Sequence, residues 1–132
     1  MARSKIQRGF TLIELMIVIS IMLILIAIAV PAYNRSIIHA REAVLKQDLF
    51  QLRSLISQYT LDKQKAPQSL DDLISAGYLK QIPKDPFTGA ADWNTEQEED
   101  VILDPSQTET GIDDVHSASE QTSSDGTAYN TW

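Results

Sequence analysis

The stretch "RGFTLIELMIVISIMLILIAIAVPAY", Arg8 to Tyr33, decides how the rest of the chain is read. Phe10 to Val30 is a run of 21 residues that is almost unbroken hydrocarbon, and its one charge is Glu14, near the start. As an α-helix the run rises about 31 Å, the thickness of one bilayer core. Arg3, Lys5 and Arg8 lie just before it. Basic residues beside an apolar segment stay in the cytoplasm, so the C-terminal bulk is expected on the far side. A cleaved secretory signal has a shorter apolar region that ends in small residues. Val30-Pro31-Ala32-Tyr33 is a weak context for such a cut. Composition alone therefore gives a signal-anchor helix. It leaves Glu14 unexplained, because a lone carboxylate costs about 2.5–3.5 kcal/mol at the bilayer centre and less near the interface.

The surroundings of Glu14 are more specific than its burial. A short basic leader, Gly9, Phe10, a glutamate at the fifth position after the glycine, and Pro31 closing the apolar run occur together. This combination resembles the class III signal of type IV pilins and type II secretion pseudopilins. The resemblance implies that a membrane-embedded prepilin peptidase cuts between Gly9 and Phe10 and methylates the new amine of Phe10. Residues 1–9 would then be a leader, 10–30 the transmembrane and assembly half of a helix, and 31–132 a periplasmic domain. The cut would also give Glu14 a partner. A free N-terminal amine has a pKa of about 7.7–8.0 and is cationic at neutral pH. In the family, the glutamate of one subunit meets the N-terminus of a neighbour in the filament. The plainer alternative is that Glu14 snorkels to the headgroups or pairs with its own Phe10, four residues away. That alternative leaves the glycine, phenylalanine and proline without a reason.

The helical pattern continues past the apolar run. Leu45, Leu49, Leu52, Ile56 and Tyr59 recur at steps of four and three, an amphipathic stripe that packs a globular domain. Arg41, Lys46, Asp48 and Arg53 fall mostly on the other faces. Pro31 removes a backbone donor and crowds the preceding turn, so a kink or local unwinding is expected there. The pattern predicts one helix from about Phe10 to Gln64, on the order of 80 Å long if straight.

A loop follows over residues 65–89. Within it Ser69 is placed to cap a short helix with Asp71 and Asp72 in its first turn, and Gly77 to end it. Pro83, Pro86 and Gly89 then punctuate an extended stretch. "GYLKQIPKDPFTG" resembles the loop after the long helix in major pseudopilins. The lack of cysteine favours that branch over ordinary major pilins, which more often close a C-terminal disulfide loop. Residues 90–132 read as short strands, at about Ala91–Glu96, Asp100–Leu103 and Asp113–Ser117. Between them "NTEQEED", Thr108 to Gly111 and Thr122 to Gly126 read as turns. The expected fold is α+β and pilin-like: a long N-terminal helix, transmembrane in its first half, packed on a small C-terminal antiparallel sheet with an intervening αβ-loop.

Charge narrows the function. From Asp85 onward there are 12 acidic residues and no Lys or Arg, while the preceding part carries 11 basic against 6 acidic. An acidic C-terminal part repels phosphate and argues against nucleic-acid binding. His39 and His116 have no nucleophile or ligand spacing beside them, and no nucleophile elbow or phosphate loop is present. Asp71-Asp72 and Glu98-Glu99-Asp100 read as solvated faces, so no enzyme is expected. The family's calcium site is the nearest thing to a cofactor site. Calcium takes six to eight oxygens. Matching back from Trp132, the positions where the family usually has aspartates hold Gln121 and Ala128. An acidic loop without an ion is the preferred reading, with Glu120 and Asp125 the ligands if Ca2+ is bound.

The resemblance implies a structural subunit of a type II secretion pseudopilus, made in the bacterial inner membrane with its N-terminus cytoplasmic. Its implied partners are other copies of itself, minor pseudopilins, the prepilin peptidase, an assembly platform with its ATPase, and the lipid bilayer before assembly. The alternative within the family is a type IV pilus subunit for adhesion, motility or DNA uptake. A monomeric signal-anchored binding protein has no need of Gly9 or Glu14.

Overall fold

The computed structural model describes residues 9–97 and 110–132. The leader and the candidate strand at Asp100–Leu103 lie outside the described residues, apart from Gly9. Helix α1 spans Leu12–Lys63, against the expected 10–64. Thr11 begins it: its hydroxyl accepts the Glu14 N–H at 3.2 Å and its carbonyl accepts the Leu15 N–H at 3.2 Å. No glycine occurs between Gly9 and Gly77, so nothing in α1 carries glycine's entropic penalty. The helix is continuous through Pro31, without local unwinding. Gln64 then adopts a left-handed backbone, φ 55°, and the helix stops.

Two compact units divide the chain, one up to Ile37 and one from Ile38 onward. The first is apolar helix. Its large side chains from Phe10 to Val30 are all exposed. Ser20 is the polar exception after Glu14, and its hydroxyl donates back to the Met16 carbonyl at 2.7 Å. That bond removes an unpaired donor from a surface suited to lipid.

The second unit has its core on the expected stripe. Leu45, Leu49, Leu52, Ile56 and Tyr59 are buried on one face of α1. Leu70 and Leu73 of α2 (Leu70–Ser75) join them, with Trp93, Ile112, Val115 and Tyr129. Ser69 stands at the N-cap of α2, and the Asp72 carboxylate accepts the N–H groups of Gln68 (2.8 Å) and Ser69 (3.1 Å). Asp72 is thus a cap rather than only a solvated charge. At the other end Gly77 takes φ 84°. There the Gly77 N–H reaches Ile74 O (3.0 Å) and the Tyr78 N–H reaches Leu73 O (2.9 Å). These are the two bonds of a Schellman stop.

Strands β1 (Asn94–Gln97) and β2 (Ile112–His116) pair antiparallel. Asn94 lies opposite His116, with a bulge between Glu96 and Gln97. Asn94–Gln97 is therefore strand, not part of a polar turn. β2 starts tight against the loop: the Ile112 N–H donates to Pro67 O at 2.8 Å, and a Cβ on Gly111 would lie 2.9 Å from the Ala66 carbonyl group. The chain closes with a turn at 123–126, an antiparallel bridge from Thr122 to Ala128, and a 3-10 turn at Tyr129–Thr131.

Candidate functional site

Two places carry the candidate site residues. The first is the start of α1. Gly9 and Phe10 precede the helix and are exposed. Glu14 is also exposed, and no described group pairs with its carboxylate. Its backbone is held by Thr11, so Glu14 occupies the third helical position, where a carboxylate favours the positive end of the helix dipole. Thr11-Leu12-Ile13-Glu14 is a T-x-x-E sequence, a local helix-start signal. It fixes where Glu14 sits and leaves its charged end available.

The second place is the C-terminal loop against α1. Glu42 lies one turn before Leu45 on the buried face and is 5% exposed. Its carboxylate accepts three hydrogen bonds, from the Ser124 N–H (2.7 Å), the Ser124 hydroxyl (2.6 Å) and the Tyr129 hydroxyl (2.9 Å). His39 Nδ1 lies 3.5 Å away and is largely exposed. Farther along α1, Arg53 donates to Asp114, to Val115 O (2.9 Å) and to the Trp132 main-chain oxygen (3.0 Å). His116 Nδ1 contacts the same Trp132 oxygen at 2.6 Å, and Lys46 Nζ sits 4.5 Å above the Trp132 ring. The sequence pattern assigns Glu42 no role. Glu42 continues the buried stripe by one step of three. Arg53, placed by sequence on an outer face, is half-buried instead.

A third tie comes from the loop before β1. Asp85 is fully buried. Its carboxylate accepts the Phe87 N–H at 2.8 Å and the Ser117 hydroxyl, and Phe87 stacks on Tyr129 with ring centroids 3.9 Å apart. The "KDPF" segment thus holds both ends of the C-terminal loop. Asp48, on α1 nearby, has its pKa raised by burial and then by the Asp85 charge.

These ties set a pH range. Burial alone would raise the Glu42 pKa, but the Ser124 and Tyr129 bonds outweigh it and bring it below the ordinary 4.5. Asp114 is lowered in the same way, burial being outweighed by Arg53 and the Val115 N–H. A depressed carboxylate adds stability above its unfolded pKa and loses it as pH falls through the folded value. Tyr129 has the opposite sign. Burial and then Glu42 push its pKa to about 12. Its contribution is complete below the free phenol value of about 10 and is lost as pH rises beyond it. Asp48, with its raised pKa, has the opposite sign to Glu42 and Asp114 and offsets part of the acid loss. Melting temperature followed by circular dichroism should therefore be level from about pH 6 to 9 and fall on both sides. Tyr129→Phe should shrink the alkaline fall.

Calcium, implied by the family resemblance, is not fitted by these residues. Glu120 and Asp125 are both exposed, and among the described residues no cluster of three acidic or histidine side chains converges. Three of the loop's carbonyls turn inward to close it: Gln121 O accepts the Tyr129 N–H (3.0 Å), Thr127 O the Ser123 N–H (2.7 Å) and Ser123 O the Gly126 N–H (3.1 Å). Gln121 and Ala128 meet beside this bridge as uncharged residues.

Comparison with known proteins bears on the first place. Residues 4–30 match the Prokaryotic N-terminal methylation motif. Type II secretion system core protein G of Klebsiella michiganensis is 34% identical over 103 residues, 66% of this chain and 72% of that protein. The chain belongs to the type II secretion system core protein G family. Core protein G of Pseudomonas aeruginosa is 34% identical over 97 residues, covering 61% of this chain and 68% of the relative. Type IV major fimbrial protein FimA of Dichelobacter nodosus is 43% identical, but over 64 residues, 48% of this chain and 40% of FimA. No solved structure matches. For a core protein G family member, the α+β, pilin-like fold with one apolar membrane-capable helix is the expected architecture.

Proposed function

We propose that this chain is the major structural subunit of a type II secretion pseudopilus, polymerising into a periplasmic fibre that helps drive folded proteins across the outer membrane. One observation carries the reading: in a core protein G family member, the whole apolar half of α1 is exposed, and its charged start, Glu14, has no partner among the described residues. Such a surface is stable only in lipid or against copies of itself. The chain would wait in the inner membrane with its N-terminus cytoplasmic. The prepilin peptidase would cut after Gly9 and methylate Phe10. The platform and its ATPase would then add the subunit at the base of the fibre, with minor pseudopilins as further partners. The chain's own work is mechanical, since its ordered polar groups serve as caps and ties.

Processing tests this reading. Intact mass of the membrane-extracted chain should correspond to a start at N-methyl-Phe10, and changing Gly9 to a bulky residue should leave the leader attached. A Met1 start in cells with active prepilin peptidase, or a cut near Ala32, contradicts it. The stretch shared with FimA favours a second reading, a type IV pilus subunit. Long extracellular fibres with normal protein export in their absence would select that reading.

A further inference from the structure

We propose that Glu42 is an internal post to which the C-terminal loop is strapped, so that the loop closes on α1 without a divalent cation. The three donors on Glu42 come from residues 82 and 87 positions away in sequence. All three lie in the last turn and its exit. Both carboxylate oxygens are used: Ser124 N–H and Tyr129 hydroxyl on Oε1, Ser124 hydroxyl on Oε2. The anion that gathers the loop thus comes from the helix, and the groups gathered are neutral donors. A calcium site works the other way round, with loop oxygens gathered on a cation. Ser124 turns both its N–H and its hydroxyl to Glu42, so the loop is held on α1 by its donors rather than by its oxygens.

Other features of the loop agree. Asp125, the residue after Ser124, is exposed and its N–H is taken by the Ser123 hydroxyl at 3.3 Å. The Trp132 indole N–H donates to the Thr127 hydroxyl at 2.8 Å, and Tyr129 packs edge-on against Trp132 with centroids 5.1 Å apart. The loop is thus closed by its own bonds at one end, by Glu42 in the middle and by Arg53 at the Trp132 main chain. A carboxylate with three donors is also a demanding partner. Leu has a similar volume but no acceptor, and would leave the Ser124 N–H and the Tyr129 hydroxyl unpaired in a buried place.

This proposal is independent of the pseudopilus reading and is tested on the full chain in detergent micelles. Thermal melting is recorded in millimolar calcium chloride and in EGTA, for wild type and Glu42→Leu, with amide hydrogen exchange at Ser124 and at Leu49. Wild type should melt at the same temperature in both solutions. Glu42→Leu should melt several degrees lower in both, lose protection at Ser124 and keep it at Leu49, within α1. If Glu42→Leu does not fold, Ser124→Ala removes one bond and should show the same pattern at smaller amplitude. A rise in the wild-type melting temperature with calcium that EGTA reverses overturns the proposal. So does unchanged Ser124 protection in Glu42→Leu.

Discussion

Glu14→Val should leave the chain in the membrane and abolish its fibres. The substitution removes the only charge between Phe10 and Val30, so insertion becomes easier. On the proposed reading, what is lost is a partner for the Phe10 ammonium of the adjoining subunit. Opposite charges attract far more strongly in a low-dielectric core than in water, and either one buried alone is unfavourable. Breaking a buried pair by removing one member costs about 3–5 kcal/mol. At a contact repeated in every subunit, that is enough to stop growth. Glu14→Gln should behave like Val in assembly, and Glu14→Asp, shorter by one methylene, should be intermediate. Fibre yield after shearing, at matched membrane levels of each variant, measures this. Because Thr11 caps the helix with its own hydroxyl, Glu14→Val should keep α1 intact.

Asp85→Ala should be the most damaging single change in the second unit. The carboxylate is fully buried and receives donors from two segments, Phe87 of its own loop and Ser117 after β2. Alanine leaves those donors without an acceptor, each unsatisfied group costing about 1–3 kcal/mol. The Phe87 ring would also lose the turn that stacks it on Tyr129. A loss of about 3–5 kcal/mol is expected from chemical denaturation of the full chain in micelles. Asp85→Asn keeps one acceptor and should cost less. A small effect from Ala would mean that the core stripe alone holds the loops.

The helix was legible because two strong signals agreed along it. Hydrocarbon marked its first half, and the step-four, step-three recurrence from Leu45 to Tyr59 marked the core face of its second. The α2 boundaries were legible from Ser69 and Gly77, whose roles depend on local geometry alone. The ties between distant segments were not. Glu42, Arg53 and Asp85 look like ordinary surface charges in sequence, because a carboxylate buried by partners 32 or 82 residues away carries no local signature. Glu42 did carry a hint, as a charge in phase with the apolar stripe. Glu120 and Asp125 are acidic and near the spacing the family resemblance implies, and both are exposed. Sheet detail was harder still. The strand expected at about Ala91–Glu96 overlapped the turn expected over "NTEQEED", and β1 is wholly exposed and polar, so no alternation fixed its bounds.

The pairing of Glu14 with a neighbour's Phe10 is the claim on which fibre assembly turns, and a zero-length carbodiimide coupling tests it most directly. The reagent joins a carboxylate to an amine only where the two touch. Applied to sheared fibres, it should convert the processed chain into a ladder of covalent oligomers, with the new amide between Glu14 and the Phe10 nitrogen identified by mass spectrometry. Glu14→Gln membranes should give no such ladder. Fibres of wild-type chain that yield only monomers, or a ladder that persists in Glu14→Gln, would contradict the pairing and leave Glu14 a helix-start residue with no role between subunits.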